Sequence, residues 1–268
     1  MAGKYALRTV DVLTPRSLDE ALRLKAEQPE AWPIQGGTDV MVELNFDRAR
    51  PPALLNLNEV AELRGWSRRD GSIWLGAGLT YTEAMQPPLA ELLPALAEAS
   101  RTVGGPQIRN RGTIGGNLAT SSPAGDALPP LLVCEGQVHL ASVRGERRLP
   151  LQDFLHGPKR NALSEDELIL GVTVEPGGSQ TFMKVGPRNA MVIAVVSLAL
   201  EADGELRAAF GSAGPVPTLV RAPRDEIDSF PERVAAAARP IDDVRGTAAY
   251  RRHALRVLTE RALARCLA

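Results

Sequence analysis

Apolar and polar positions alternate along this chain in short stretches whose period keeps changing. Ser17-Leu18-Asp19-Glu20 has the form of a capping box, and Leu18, Ala21 and Leu22 follow at helical spacing. A short extended run, Trp32-Pro33-Ile34, comes next, then a glycine pair and a helix over residues 40–44. Residues 53–57 and 72–75 read as strands rich in branched and apolar side chains. Thr80-Tyr81-Thr82-Glu83 is a second capping box, opening a short helix. Leu89, Leu92, Leu93, Leu96 and Ala97 keep helical spacing, which predicts one helix over 88–103 ended by Gly104-Gly105. Ser122-Pro123 predicts an N-cap with proline at the first helical position, starting a helix that runs to about residue 135. Strands are expected at 137–142 and 168–174.

Turn chemistry concentrates at Glu175-Pro176-Gly177-Gly178 and marks a boundary. Beyond it, residues 181–185, 192–201 and 206–212 read as strands, with a hairpin turn at Ala202-Asp203-Gly204-Glu205. Helices over 226–237 and 246–267 close the chain. The expectation is an α+β protein: residues 1–174 as one domain of two α+β subdomains split near residue 60, and residues 175–268 as a smaller C-terminal domain, an antiparallel sheet with helices. No repeat or low-complexity segment is visible.

With 268 residues the chain can build a substantial core. Apolar residues make up 44% and charged residues 24%, an ordinary globular balance. A net charge of −1 gives no field to recruit nucleic acid or an acidic membrane, and 4% aromatics provide few stacking platforms for single strands. The near-apolar run at 190–200 is too short to span a bilayer, and residues 1–5 carry no long apolar region of a signal peptide. A cytoplasmic protein is expected. The two cysteines, Cys134 and Cys266, have no ligand spacing, so an iron–sulfur centre or cysteine-rich zinc site within this chain is not expected. His139, His156 and His253 are scattered and show no metal pattern.

The candidate chemistry lies in two glycine-rich segments. Gln35-Gly36-Gly37-Thr38-Asp39 is one; Thr113-Ile114-Gly115-Gly116-Asn117, followed by Ser122-Pro123-Ala124-Gly125-Asp126, is the other. Each sets adjacent glycines beside a hydroxyl residue. Glycine lets main-chain N–H groups approach a phosphate closely, so the pair points to an elongated, diphosphate-bearing cofactor. Neither segment is a Walker loop or a GxGxxG turn. Taken alone, Gly36-Gly37-Thr38 also reads as a tight turn with Thr38 as helix N-cap, and residues 113–117 as a bulged turn. Asp126 reads either as an acid in a helix's first turn or as an acceptor for a cofactor hydroxyl. Lys184, Arg109 and Arg111 alone read as surface charges. No GxSxG elbow supports a hydrolase.

These residues resemble the FAD-binding (medium) subunit of the molybdenum hydroxylases, the xanthine dehydrogenase and carbon monoxide dehydrogenase flavoprotein type. Gly36-Gly37-Thr38-Asp39 resembles the family's first flavin loop. Ile108-Arg109-Asn110, Thr113 to Asn117 and the Ser122–Asp126 string resemble its second. Lys184-Val185-Gly186-Pro187-Arg188 with Ala194-Val195-Val196-Ser197 resembles the start of its C-terminal domain, and Asp243 to Arg252 its closing segment. The resemblance implies a fold shared with vanillyl-alcohol oxidase and p-cresol methylhydroxylase (PCMH/VAO type). It implies FAD contacts from Pro33, Ile34, Gln35, Gly36, Gly37, Thr38, Asp39 and Val40, from Thr113, Ile114, Gly115, Gly116 and Asn117, and from Val103, Asp126, Ile169 and Lys184. It also implies partners: a large subunit with a molybdenum cofactor, which hydroxylates the substrate, and a small subunit with two [2Fe-2S] clusters, together forming a dimer of heterotrimers. Electrons would pass from FAD to NAD⁺, oxygen or another acceptor. No catalytic acid or base is implied here, and no metal ligand. Lys184 beside the isoalloxazine would stabilise anionic reduced flavin. Two cysteines cannot supply the extra [4Fe-4S] cluster of the 4-hydroxybenzoyl-CoA reductase branch. The loop strings look closer to the xanthine dehydrogenase branch than to the carbon monoxide branch. Two further readings stay open at this point: a stand-alone flavin enzyme such as the reductase of UDP-N-acetylenolpyruvoylglucosamine, and a scaffold without flavin.

Overall fold

A computed structural model describes residues 10–268; residues 1–5, where the signal-peptide reading falls, lie outside the described residues. The described chain opens with β1 (Asp11–Leu13), α1 (Leu18–Glu27), β2 (Trp32–Ile34), α2 (Val40–Asn45) and β3 (Ala53–Asn56). Both pairings of this sheet, ordered β1-β3-β2, are parallel. Helix α1 is capped as expected at one end: the Ser17 side chain accepts from the Glu20 N–H. The Glu20 carboxylate reaches back to the Arg16 N–H rather than to Ser17, so the box closes one residue early.

β4 (Trp66–Arg69) and β5 (Ser72–Gly76) follow, then α3 (Tyr81–Ala84), α4 (Leu89–Leu92), α5 (Pro94–Thr102), α6 (Pro106–Arg109), α7 (Ile114–Thr120) and α8 (Leu128–Val133). β6 (Gln137–Ser142), β7 (Gly145–Pro150), α9 (Leu151–Phe154), the hairpin β8 (Leu155–Gly157) and β9 (Arg160–Asn161), and β10 (Leu168–Val174) come next. These build an antiparallel sheet, β4-β5-β10-β6-β7. The helix expected over 88–103 is two helices. Pro94 cannot donate to the ladder and forces Leu93 out of helical geometry, so the pattern of leucines continues across a break. The helix expected from Ser122 starts at Leu128 instead. The Ser122 hydroxyl accepts from the Ala124 N–H and shapes a turn, and Pro129 and Pro130 fill the first turn of α8. Asp126 therefore precedes the helix. Residues 113–117 are neither loop nor bulge; they open α7.

The last part is β11 (Gln180–Val185), β12 (Val196–Glu201), β13 (Leu206–Gly211), β14 (Thr218–Ala222), α10 (Phe230–Ala237) and α11 (Ala248–Leu267). The four strands form an antiparallel meander. β12 begins at Val196 rather than 192, because its partner strand ends at Val185 before Gly186-Pro187. The helix expected from 226 begins at Phe230 with Pro231 in its first turn. Both faces of this sheet are covered. Leu198, Leu200, Ala208 and Phe210 pack with Phe230, Leu255 and Leu258 of α10 and α11. Phe182, Ala199 and Ala209 join the core of α5, α8 and the middle sheet. The third core lies between α1 and the first sheet, and takes Trp74, Leu168 and Leu170 from the middle sheet. β5 and β10 thus present opposite faces to two cores.

Candidate cofactor cleft

β2 runs directly into the first glycine turn. Gly37 has φ of +75°, a left-handed conformation that a side chain resists, and it turns the chain into α2. Among the described residues, the N–H groups of Gly36, Gly37, Thr38 and Asp39 find no acceptor. They form a run of main-chain donors at the carboxyl end of a parallel strand, the usual place for a ligand in such sheets. Asp39, not Thr38, occupies the position before α2, and its side chain makes no cap bond.

The facing wall is α7, and its donors are spent. The Ile114 N–H donates to Leu79 O (2.9 Å), Gly115 N–H to Ala77 O (2.8 Å) and Gly116 N–H to the Thr113 hydroxyl (3.0 Å). What α7 offers is one face: Thr113, Gly116, Asn117 and Thr120, at helical spacing, all line the cleft. The Asn117 amide packs beside Gly125, and its buried Oδ1 has no hydrogen-bond partner among the described residues. Gly115 permits the fit behind this face; a Cβ would lie 2.6 Å from the Ala77 Cβ and 2.7 Å from its carbonyl oxygen. Ile114 points away and is fully buried in the core. Leu57, Ala77, Leu163, Leu168 and Ile169 complete an apolar lining.

The walls meet at both ends. At one, a Cβ on Gly36 would overlap the Arg111 carbonyl, and the Arg111 guanidinium donates to Gln35 O (3.0 Å). At the other, the Thr120 hydroxyl donates to Asp39 Oδ2 (2.9 Å). The lining contains two acids, Asp39 and Glu167, and neither lysine nor arginine. Glu167 is held by Arg147 (2.6 and 2.7 Å) and by the Ser164 N–H, which keep its carboxyl down at about 2. An anion in this cleft would therefore be met by main-chain dipoles rather than by cationic side chains.

Val103, Asp126 and Lys184 stand elsewhere. Lys184 Nζ lies 2.6 Å from Asp126 Oδ2 and 3.3 Å from the Thr102 carbonyl, with both charged side chains buried. Burial pushes the Asp126 carboxyl up and the Lys184 ammonium pulls it back. Among the described residues, Asp126 Oδ1 has no hydrogen-bond partner. Lys184, Thr102 and Gly104 line a second cavity of about 650 Å³, together with Arg101, Arg109 and Arg188. The Val103 carbonyl accepts from Arg109 Nη1 (3.2 Å). The ammonium of Lys184 is thus already engaged by a carboxylate. Elsewhere, Cys134 is buried and its thiol is pushed up to about 12, so it is unreactive. His139 is tied to Thr173 (2.8 Å) and sits edge-on to Trp74, a structural placement.

Comparison with known proteins places the chain in a family. The model of the FAD binding domain in molybdopterin dehydrogenases matches residues 8–175. The chain belongs to this family. It is 30% identical over 275 residues to the xanthine dehydrogenase FAD-binding subunit of Escherichia coli O157:H7, covering 94% of each protein. It is 34% identical over 199 residues to the nicotinate dehydrogenase FAD-subunit of Eubacterium barkeri, covering 71% of this chain and 67% of the relative. A structure of carbon monoxide dehydrogenase from Hydrogenophaga pseudoflava superposes with a TM-score of 0.87 at 24% identity, over 96% of this chain and 97% of that one. That last likeness speaks for the fold.

The cleft's residues fit the cofactor of an FAD-binding domain. Four N–H groups without an acceptor among the described residues suit a diphosphate, and Gly116 leaves room in the cleft where a side chain would intrude. Of the contacts expected from sequence, residues 33–40, Thr113, Gly115, Gly116, Asn117 and Ile169 come together here. Ile114 lies behind the wall, Lys184 lines the second cavity with Asp126 paired to it, and Val103 packs against the core nearby. Leu57, Ala77, Ala119, Thr120, Leu163, Glu167 and Leu168 also line the cleft and were not expected. Ala119 and Thr120 follow once residues 113–117 are recognised as a helix start. The others come from chain segments with no motif.

Proposed function

We propose that this chain is the FAD-binding electron-transfer subunit of a molybdenum hydroxylase complex. The run of unpartnered N–H groups from Gly36 to Asp39, set against the Asn117 side chain, carries this reading. Bound FAD would supply the redox chemistry, taking electrons one at a time and releasing them as a pair or singly. The protein's part is to bind, orient and insulate. The Gly36–Asp39 donors would hold the diphosphate, and Asn117 and Thr113 would meet the polar chain beyond it. Leu57, Leu163, Leu168 and Ile169 would keep water from that segment. The pair of Asp126 and Lys184 keeps a buried, fixed dipole where the middle and C-terminal sheets meet.

On this reading the partners are a large subunit with a molybdenum cofactor and a small subunit with [2Fe-2S] clusters, assembled as a dimer of heterotrimers in the cytoplasm. The acceptor would be NAD⁺, oxygen or another oxidant. The names of two relatives, a xanthine dehydrogenase and a nicotinate dehydrogenase, support a nitrogen heteroaromatic as the hydroxylated substrate, with the xanthine dehydrogenase type favoured. Residues 1–174 would form the FAD domain and 175–268 the C-terminal domain. Purification through a tag on this chain tests the reading. Flavin bands overlapping iron–sulfur absorption, with molybdenum by elemental analysis, are the expected result. A chain that takes up no flavin, even with FAD added, would contradict it.

A further inference from the structure

The two ends of the cleft are closed by different means. At the Arg111 end, main chain abuts main chain: Gly36 lies against the Arg111 carbonyl, and the Arg111 guanidinium adds a bond to Gln35 O. At the α2 end, side chains do the closing. Thr120 Oγ1 donates to Asp39 Oδ2 at 2.9 Å, and Lys159 Nζ pairs with Glu43 Oε1 at 2.8 Å. Asp39 and Glu43 are four residues apart, one just before α2 and one in its first turn, so they share a face of the helix.

Both donors also belong to one body. Lys159 sits at the tip of the β8–β9 hairpin, in a left-handed conformation. Asn161, on the same hairpin, donates to the Ala119 carbonyl (2.9 Å) and the Ser121 hydroxyl (3.2 Å), at the end of α7 that carries Thr120. The contact is therefore a two-point clasp between α2 and the α7–hairpin unit. The Lys159 side chain is 68% exposed. Contacts of this kind are individually weak and screened by salt, which suits parts that must release.

We infer that Thr120 and Lys159 are positioning residues that clasp the cleft at its α2 end and set how fast FAD leaves. The inference rests on the FAD reading above. Cofactor exchange runs through the α2 end, with the Gly36–Arg111 contact as the fixed end.

The full chain, loaded with FAD, is mixed with an excess of a tight flavin-binding trap, and release is followed by flavin fluorescence. Thr120→Val should release FAD about tenfold faster, as expected for a lost hydrogen bond to a carboxylate, and Thr120→Ser should restore the wild-type rate. Lys159→Met should speed release about threefold and abolish its acceleration by salt. The pair Lys159→Glu with Glu43→Lys should recover most of the loss seen in Lys159→Glu alone, which a general weakening of the fold would not do. Wild-type release rates in both Thr120→Val and Lys159→Met, with FAD still bound, would overturn the clasp and leave the FAD reading standing. A wild-type chain that takes up no FAD would overturn both.

Discussion

The two glycine pairs of this chain look alike in sequence and face each other across one cleft, yet they do different work. At Gly36-Gly37 the main chain turns through a left-handed residue, and no described residue accepts from its N–H groups. At Gly115-Gly116 the chain is helical and every N–H is taken by Leu79, Ala77 or Thr113. The first pair exposes donors. The second removes bulk: Gly115 lets α7 lie against Ala77, and Gly116 keeps the cleft open. A glycine-rich signature therefore reports close approach of backbone, and whether the approach is to a ligand or to another strand depends on where the N–H groups go.

Four substitutions or conditions test that division. The largest effect is expected from Gly36→Ala, where the methyl would overlap a main-chain carbonyl and the two walls must separate. FAD affinity should fall at least about 100-fold, or about 3 kcal/mol, in a fluorescence titration. Gly115→Ala should instead act on the fold. Its methyl would meet Ala77 at 2.6 Å, and overpacking of this kind costs about 1–3 kcal/mol in chemical denaturation, with FAD affinity of the folded fraction nearly unchanged. A loss of affinity without loss of stability would break the comparison. Gly116→Ala sharpens it, since its methyl meets just the Thr113 hydroxyl, at 3.1 Å. The helix should hold or gain up to about 1 kcal/mol while FAD affinity falls about tenfold, because the methyl enters the cleft.

The smallest effect is a pH dependence of the cleft's far wall. Glu167 ordinarily titrates near 4.5 and is held at about 2 by Arg147 and the Ser164 N–H. A depressed carboxyl contributes stability that is complete above about 4.5 and is lost as pH falls through that value towards about 2. Denaturation midpoints should therefore slope downward over this window, and Glu167→Gln should flatten part of the slope. An identical slope in the variant would remove Glu167 from the account.

Much of this was legible in the sequence, for reasons that also explain the rest. The α+β class and the positions of α1, α2, β3, β5, β10, β13 and α11 follow from periodicity and caps, which are local. The long leucine pattern hid a break because Leu89 to Ala97 keep their spacing on either side of Pro94, and the proline rather than the spacing decided. β7 and β14 escaped notice since Glu146, Arg147 and Arg148, and later Arg221, interrupt any alternation; those strands are set by pairing with β6 and β13. The cleft's motif residues were legible from the two glycine pairs. Its floor was not, because Leu57, Leu163 and Leu168 carry no chemistry of their own and reach the site through packing, Leu57 and Leu168 in the core beneath the first sheet and Leu163 against the core of the middle sheet. Nor could spacing reveal that Asp126 and Lys184, 58 residues apart, would neutralise one another.

The central claim is that FAD's diphosphate is held by the Gly36–Asp39 main chain and not by the second glycine pair. Amide chemical shifts of the ¹⁵N-labelled full chain, recorded with and without FAD, test this most directly. The account predicts that the Gly36 and Gly37 amides move strongly downfield on binding and that Gly115 moves little. Large shifts at Gly115 with Gly36 and Gly37 unmoved would contradict it.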